Sequence, residues 1–115
     1  MSRPLRVHIP GVLYHVMSRG NARQDIFLDA GDYARFLKRL TVTAARFGVR
    51  CRAYCLMVTH FHLLLEPNQF PLSRMMQQLN SSYSQSFNRR HERVGHPVPD
   101  VDLAADLRQR EAPRP

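Results

Sequence analysis

Tryptophan is absent from these 115 residues and cysteine occurs only twice, which excludes a disulfide-built scaffold. Cys51 and Cys55 fall on what reads as one strand, about 13 Å apart along it and beyond disulfide reach. Both are expected to be reduced, small core residues. No apolar run approaches the roughly 20 residues that cross a bilayer, and the N-terminus lacks the apolar stretch and small-residue cleavage site of a secretory leader. The expectation is a cytoplasmic chain with no membrane partner. Acidic residues are scarce, 9 against 17 basic ones, for a net charge of +8. Lysine is scarcer still: 16 of the 17 basic residues are arginine, whose planar fork suits phosphate contacts and base stacking better than a lysine point charge. The charge is uneven, with 14 basic and 5 acidic side chains in residues 1–96 and 3 and 4 in residues 97–115. A basic body with an arginine bias points to a nucleic-acid partner.

The length allows one domain with one modest core. Met1 to Pro10 reads as an extended, basic arm. Val12 to Met17 is β-branched and aromatic between Pro10-Gly11 and Gly20-Asn21, and is predicted to be a strand with two apolar faces, hence a central one. His15 on it is either a satisfied core histidine or a third neighbour of the histidines described below. Ser18 to Gln24 is polar, basic and glycine-bearing, either a phosphate-contacting loop or a solvated turn. Asp29 reads as a helix cap with Asp32 three residues on. Tyr33, Phe36, Leu37, Leu40, Ala44 and Phe47 then mark one face of a helix that Gly48 ends, leaving Arg35, Lys38, Arg39 and Arg46 as a solvated face.

Val49 to Met57 is a second predicted strand, and only Val58-Thr59 separates it from a third, so the two form an antiparallel hairpin. The third strand opens with His60-Phe61-His62. Side chains alternate across a strand, so the two imidazoles emerge on one face roughly 6.5–7 Å apart at the backbone, a span one divalent ion can bridge, while Phe61, Leu63 and Leu65 face the core. Without an ion the same pattern is simply two half-exposed strand histidines. From Leu72 to Phe87 apolar residues recur at helical spacing, followed by Arg89, Arg90 and His91 at the positive-favouring helix end. The fold class is therefore α+β, a ferredoxin-like βαββα arrangement with an antiparallel sheet and no last strand. Residues 97–115, with four of the eight prolines, read as a poorly ordered tail carrying at most one helical turn.

Several motifs in order, Tyr14-His15-Val16, Ser18-Arg19-Gly20-Asn21, Ala53 to Met57 leading into His60-Phe61-His62, Phe87 to His91 and Val94-Gly95-His96, resemble the REP-associated tyrosine transposases, a branch of the single-tyrosine HUH transposases. The likeness covers residues 1–96. It implies that His60 and His62 coordinate a divalent metal, Mg²⁺ or Mn²⁺, at the scissile phosphate of single-stranded or hairpin DNA, and that a tyrosine hydroxyl attacks to give a phosphotyrosine intermediate. Arg19, Asn21 and Arg23 on the loop, and Arg89, Arg90 and Arg93 at the end of the second long helix, are the candidate DNA contacts.

Two departures bear on activity. Val58-Thr59 stands where the family commonly has Pro-Asn. No tyrosine follows Tyr83, whereas the family carries its nucleophile and an amide metal ligand on a helix after a fourth strand. The resemblance therefore implies a C-terminally truncated domain without catalytic tyrosine or catalytic helix, holding metal weakly. Tyr83 lies on an apolar stripe, which marks it as a packing residue and not a substitute nucleophile. Two functional readings stay open besides an inactive DNA-binding transposase domain: a tyrosine supplied in trans by a second copy or a C-terminal fragment, and a non-catalytic nucleic-acid-binding module of ferredoxin-like fold.

Overall fold

Asp29 starts the first long helix by accepting a hydrogen bond from the Asp32 backbone N–H through its side chain, and Gly48 ends it in the left-handed region at φ 67°. Between them helix α1 runs Ala30–Phe47 and buries Phe36, Leu40 and Ala44, while the other residues of the predicted stripe, Tyr33, Leu37 and Phe47, are partly buried against the core. The second helix, α2, is Leu72–His91, and all six of its predicted stripe residues, Leu72, Met75, Met76, Leu79, Tyr83 and Phe87, are buried.

In this computed structural model the described residues are 12–67, 72–95, 97 and, for the backbone alone, 101–105. Strands β1 Tyr14–Arg19, β2 Arg50–Met57, β3 His60–Glu66 and β4 Val101–Ala105 form one sheet in the order β2-β3-β1-β4, every neighbouring pair antiparallel. Tyr14, Val16 and Ser18 from β1 and Phe61, Leu63 and Leu65 from β3 are buried beneath the helices. Among the described residues no helix packs on the opposite face of the sheet. The α+β class, the antiparallel sheet and the central place of β1 follow the sequence pattern; β1 starts two residues later than predicted, and Val12 is buried ahead of it.

The missing last strand is a correction. Val101–Ala105 pairs with β1 along its length, from Ser18↔Val101 to Tyr14↔Ala105, completing βαββαβ and covering the outer edge of β1. The residues Val-Asp-Leu-Ala-Ala carry a single β-branched side chain, so propensity gave no strand signal. What draws the segment into the sheet is the row of backbone donors and acceptors on β1, which any chain of suitable reach can satisfy. The N-terminal arm, the remainder of the predicted tail and the position of any catalytic helix after β4 lie outside the described residues.

The cysteines are free, as expected, but Cys55 is exposed and Cys51 only half-buried, because β2 is an edge strand with a register shift between Cys51 and Ala53. Burial pushes the Cys51 thiol up from its ordinary pKa.

Candidate metal and nucleic-acid site

The open face of the sheet collects the histidines. β3 alternates half-buried and buried residues from His60 to Glu66, so His60 and His62 stand on the side away from the helices. On β1 the same face carries His15, Met17 and Arg19, with Met17 opposite His62 and Arg19 opposite His60. On β2 it carries Cys55 opposite His62 and Met57 opposite His60.

The rings of His60 and His62 lie 5.0 Å apart, centroid to centroid, at 80°. Their Nδ1 atoms are both engaged. His62 Nδ1 is 2.8 Å from His15 Nε2, with the two rings nearly parallel at 16°, and His60 Nδ1 is 3.2 Å from the Thr59 hydroxyl. Among the described residues neither Nε2 has a partner, so each histidine has one nitrogen free for an ion. Burial holds the His62 pKa below its ordinary value, and any proton charge on His15 or His60, together with the Arg19 guanidinium, acts in the same direction; a neutral imidazole is the form that binds metal. Two imidazoles on one face suit a divalent ion with some affinity for nitrogen, for which Mn²⁺ is the better candidate than Mg²⁺, which prefers an oxygen shell.

The turn before His60 is braced from outside. Val58 and Thr59 are β-branched and neither has positive φ, so they do not form the type I′ turn that a two-residue hairpin favours. Instead the loop after β1 donates backbone hydrogen bonds to it: Gly20 N–H to the Thr59 carbonyl at 2.8 Å, and Ile26 and Phe27 N–H to the Val58 carbonyl at 2.8 and 3.3 Å. Asn21–Arg23 forms a short 3₁₀ turn within that loop, and Ala22 and Arg23 are left-handed at φ 55° and 60°. Arg19, Asn21 and Arg23 are exposed on the segment that grips the histidine hairpin.

The second predicted arginine group sits differently. Arg90 Nη1 donates to Asp29 at 2.6 Å and to Asp32 at 2.7 Å, while His91 Nε2 lies 2.8 Å from the fully buried Asp32, whose carboxylate also accepts the Leu28 backbone N–H. The Asp29–Arg90 hydrogen bond keeps the Asp29 carboxyl below its ordinary pKa. Asp29, Asp32 and His91 bring donor atoms within 4.8 Å of one another, but the guanidinium already fills the cluster, which locks the start of α1 to the end of α2. Arg89 and Arg93 are exposed, with Arg93 5.6 Å over the Phe87 ring. Asn21 N–H reaches the Pro97 carbonyl, so the chain leaving α2 passes the loop after β1. The Asp32 lock had no sequence signal, since its partners lie 58 and 59 residues away.

The four tyrosines are placed in the core or on the helix side of the sheet, away from the histidine face. Tyr83 is 1% exposed and donates to the Ile26 carbonyl, and burial, with Asp32 nearby, pushes its phenol pKa far up. Tyr14 is buried, Tyr33 stacks on Phe27, and Tyr54 pairs with Leu63 on the helix-side face.

Residues 8–98 match the family model described as IS200-like transposase. Among solved structures, a candidate transposase from Deinococcus radiodurans is similar over 90% of this chain and 84% of its own, at 16% identity and a TM-score of 0.67. A REP-associated tyrosine transposase solved with a REP hairpin is similar over 91% of this chain, at 14% identity and a TM-score of 0.65, and the match spans 62% of that protein. No curated protein matches. Among the described residues no helix is long and apolar enough to cross a membrane.

Proposed function

Because the chain belongs to the IS200-like transposase family, we propose that it binds single-stranded, hairpin-bearing DNA on the open face of its sheet, at a divalent ion held by His60 and His62. The observation that carries this reading is the pair of imidazoles on one face, each with Nδ1 engaged and Nε2 free. A bound ion would supply Lewis-acid stabilisation at a phosphate. The protein's own part is to orient the two nitrogens, keep His62 neutral and hold the backbone with Arg19, Asn21 and Arg23. Arg89 and Arg93 extend that contact, whereas Arg90 is already committed to Asp29 and Asp32. Strand cleavage and rejoining through a phosphotyrosine need a nucleophile that none of the four tyrosines is placed to provide, so the residues described here bind DNA and await a tyrosine from a second copy or a C-terminal fragment.

The test pairs binding with nicking. Mn²⁺ titration of the wild-type chain should give one site that His60→Ala with His62→Ala abolishes, and DNA affinity should fall at least tenfold on adding a chelator. Incubated alone with hairpin DNA and Mn²⁺, the chain should leave the strand intact; a trapped phosphotyrosine would overturn the inactivity. The second reading, a non-catalytic nucleic-acid module, is favoured by the same placement of the tyrosines. It predicts DNA affinity indifferent to chelator and to the double histidine variant.

A further inference from the structure

The third histidine on the open face is not one of the two proposed ligands. His15 sits on β1 opposite Leu64, diagonal to His62 across the sheet, where long side chains on one face reach each other. Its Nε2 lies 2.8 Å from His62 Nδ1. Two neutral ring nitrogens that close must share one proton, because two facing lone pairs would repel and two N–H groups would collide. Only two arrangements remain. If His15 donates, His62 carries its own proton on Nε2, pointing at the open face, and cannot bind an ion there. If His62 donates, its Nε2 is a bare lone pair facing outward, in the same sense as the Nε2 of His60.

We propose that His15 is a positioning residue that accepts the Nδ1 proton of His62, fixing the tautomer and ring angle that turn His62 Nε2 toward the ion. Metal-binding histidines need such a partner on the second nitrogen, and losing it typically costs 10- to 100-fold in metal affinity. Arg19, on the same face and registered with His60, favours this arrangement, since its positive charge is better met by a lone pair than by an N–H. The Thr59 hydroxyl stands in the equivalent place beside His60 Nδ1, so the two ligands are supported alike, one by a neighbouring strand and one by the turn.

The inference rests on the metal reading for its consequence but not for its first test. Long-range ¹H–¹⁵N spectra of the metal-free wild-type chain should show His62 protonated on Nδ1 and His15 with an unprotonated Nε2; His62 protonated on Nε2 would overturn the proposal. With Zn²⁺ as a diamagnetic probe, His15→Phe should weaken binding 10- to 100-fold, and His15→Gln, whose amide oxygen can accept the same proton, should recover most of the loss. Equal Zn²⁺ affinity in wild type and His15→Phe would also overturn it. If instead His60→Ala with His62→Ala leaves Zn²⁺ binding unchanged, it is the metal reading that fails, and the tautomer spectrum still decides the role of His15.

Discussion

His62 is surrounded by groups that resist its protonation. Burial is the largest cause of its lowered pKa, and any proton charge on His15 or His60 and the Arg19 guanidinium add to it. In the unfolded chain the imidazole returns to about 6.5, so below that value the unfolded state takes up protons that the folded state refuses. The sign follows: this group costs nothing above pH 6.5, and folding loses stability as the pH falls from 6.5 through the lower folded value. A ring-proton NMR titration should place the His62 midpoint below 6.5, and Arg19→Gln should raise it only part of the way, because removing one charge leaves the desolvation in place. A midpoint at or above 6.5 would mean that the ring is more hydrated than its position between β1 and β2 implies. At the proposed metal site the same shift would serve binding, since protons would compete less with an ion there than at an ordinary histidine.

At the scale of elements, the histidine strand depends on a loop that is not part of it. Gly20 has an ordinary extended backbone, φ −63°, and is needed for space: a Cβ there would stand 2.3 Å from the Gln24 carbonyl oxygen and 2.9 Å from Ile26 Cγ2. Gly20→Ala must therefore displace backbone rather than a side-chain tip, and with it the hydrogen bonds that hold Val58 and Thr59. Thermal unfolding should show a loss of about 1–3 kcal/mol, the usual range for overpacking, together with weaker Mn²⁺ binding, although the substitution touches no ligand; an unchanged Mn²⁺ affinity would separate the loop from the site. Legibility in the sequence followed the same division. The stripes of α1 and α2, the caps at Asp29 and Gly48 and the outward pairing of His60 with His62 were readable because each is a local periodicity or a single-residue conformational need. β4 was not, because edge pairing is made by backbone atoms that every residue has. The bracing of Val58-Thr59, the contact of His15 with His62 and the burial of Asp32 against Arg90 and His91 were not either, because each joins residues that only the tertiary fold brings together.

Among the described residues, two basic surfaces on opposite sides of the sheet could each attract DNA. One is the loop bearing Arg19 and Arg23, beside the histidines. The other is a groove of about 210 Å³ between the helices, lined by Lys38, Arg39, Val42, Thr43, Arg46, Gln78 and Ser82, on the helix side of the sheet. Proximity to the imidazoles favours the first. In the second, Arg39 already donates to the Ser82 carbonyl, and Lys38 is exposed in a manner typical of a solvated face. Salt dependence separates the two, because each phosphate contact on a single strand contributes a slope of roughly 0.7 to the fall of log affinity with log salt. Arg19→Ala with Arg23→Ala should flatten that slope by about 1.4, two contacts' worth. Lys38→Ala with Arg46→Ala removes the same formal charge and should leave the slope unchanged, lowering affinity only through the weaker overall field. The opposite result would move the DNA to the helix layer and away from His60 and His62, a geometry in which no ion on the open face could touch a bound phosphate.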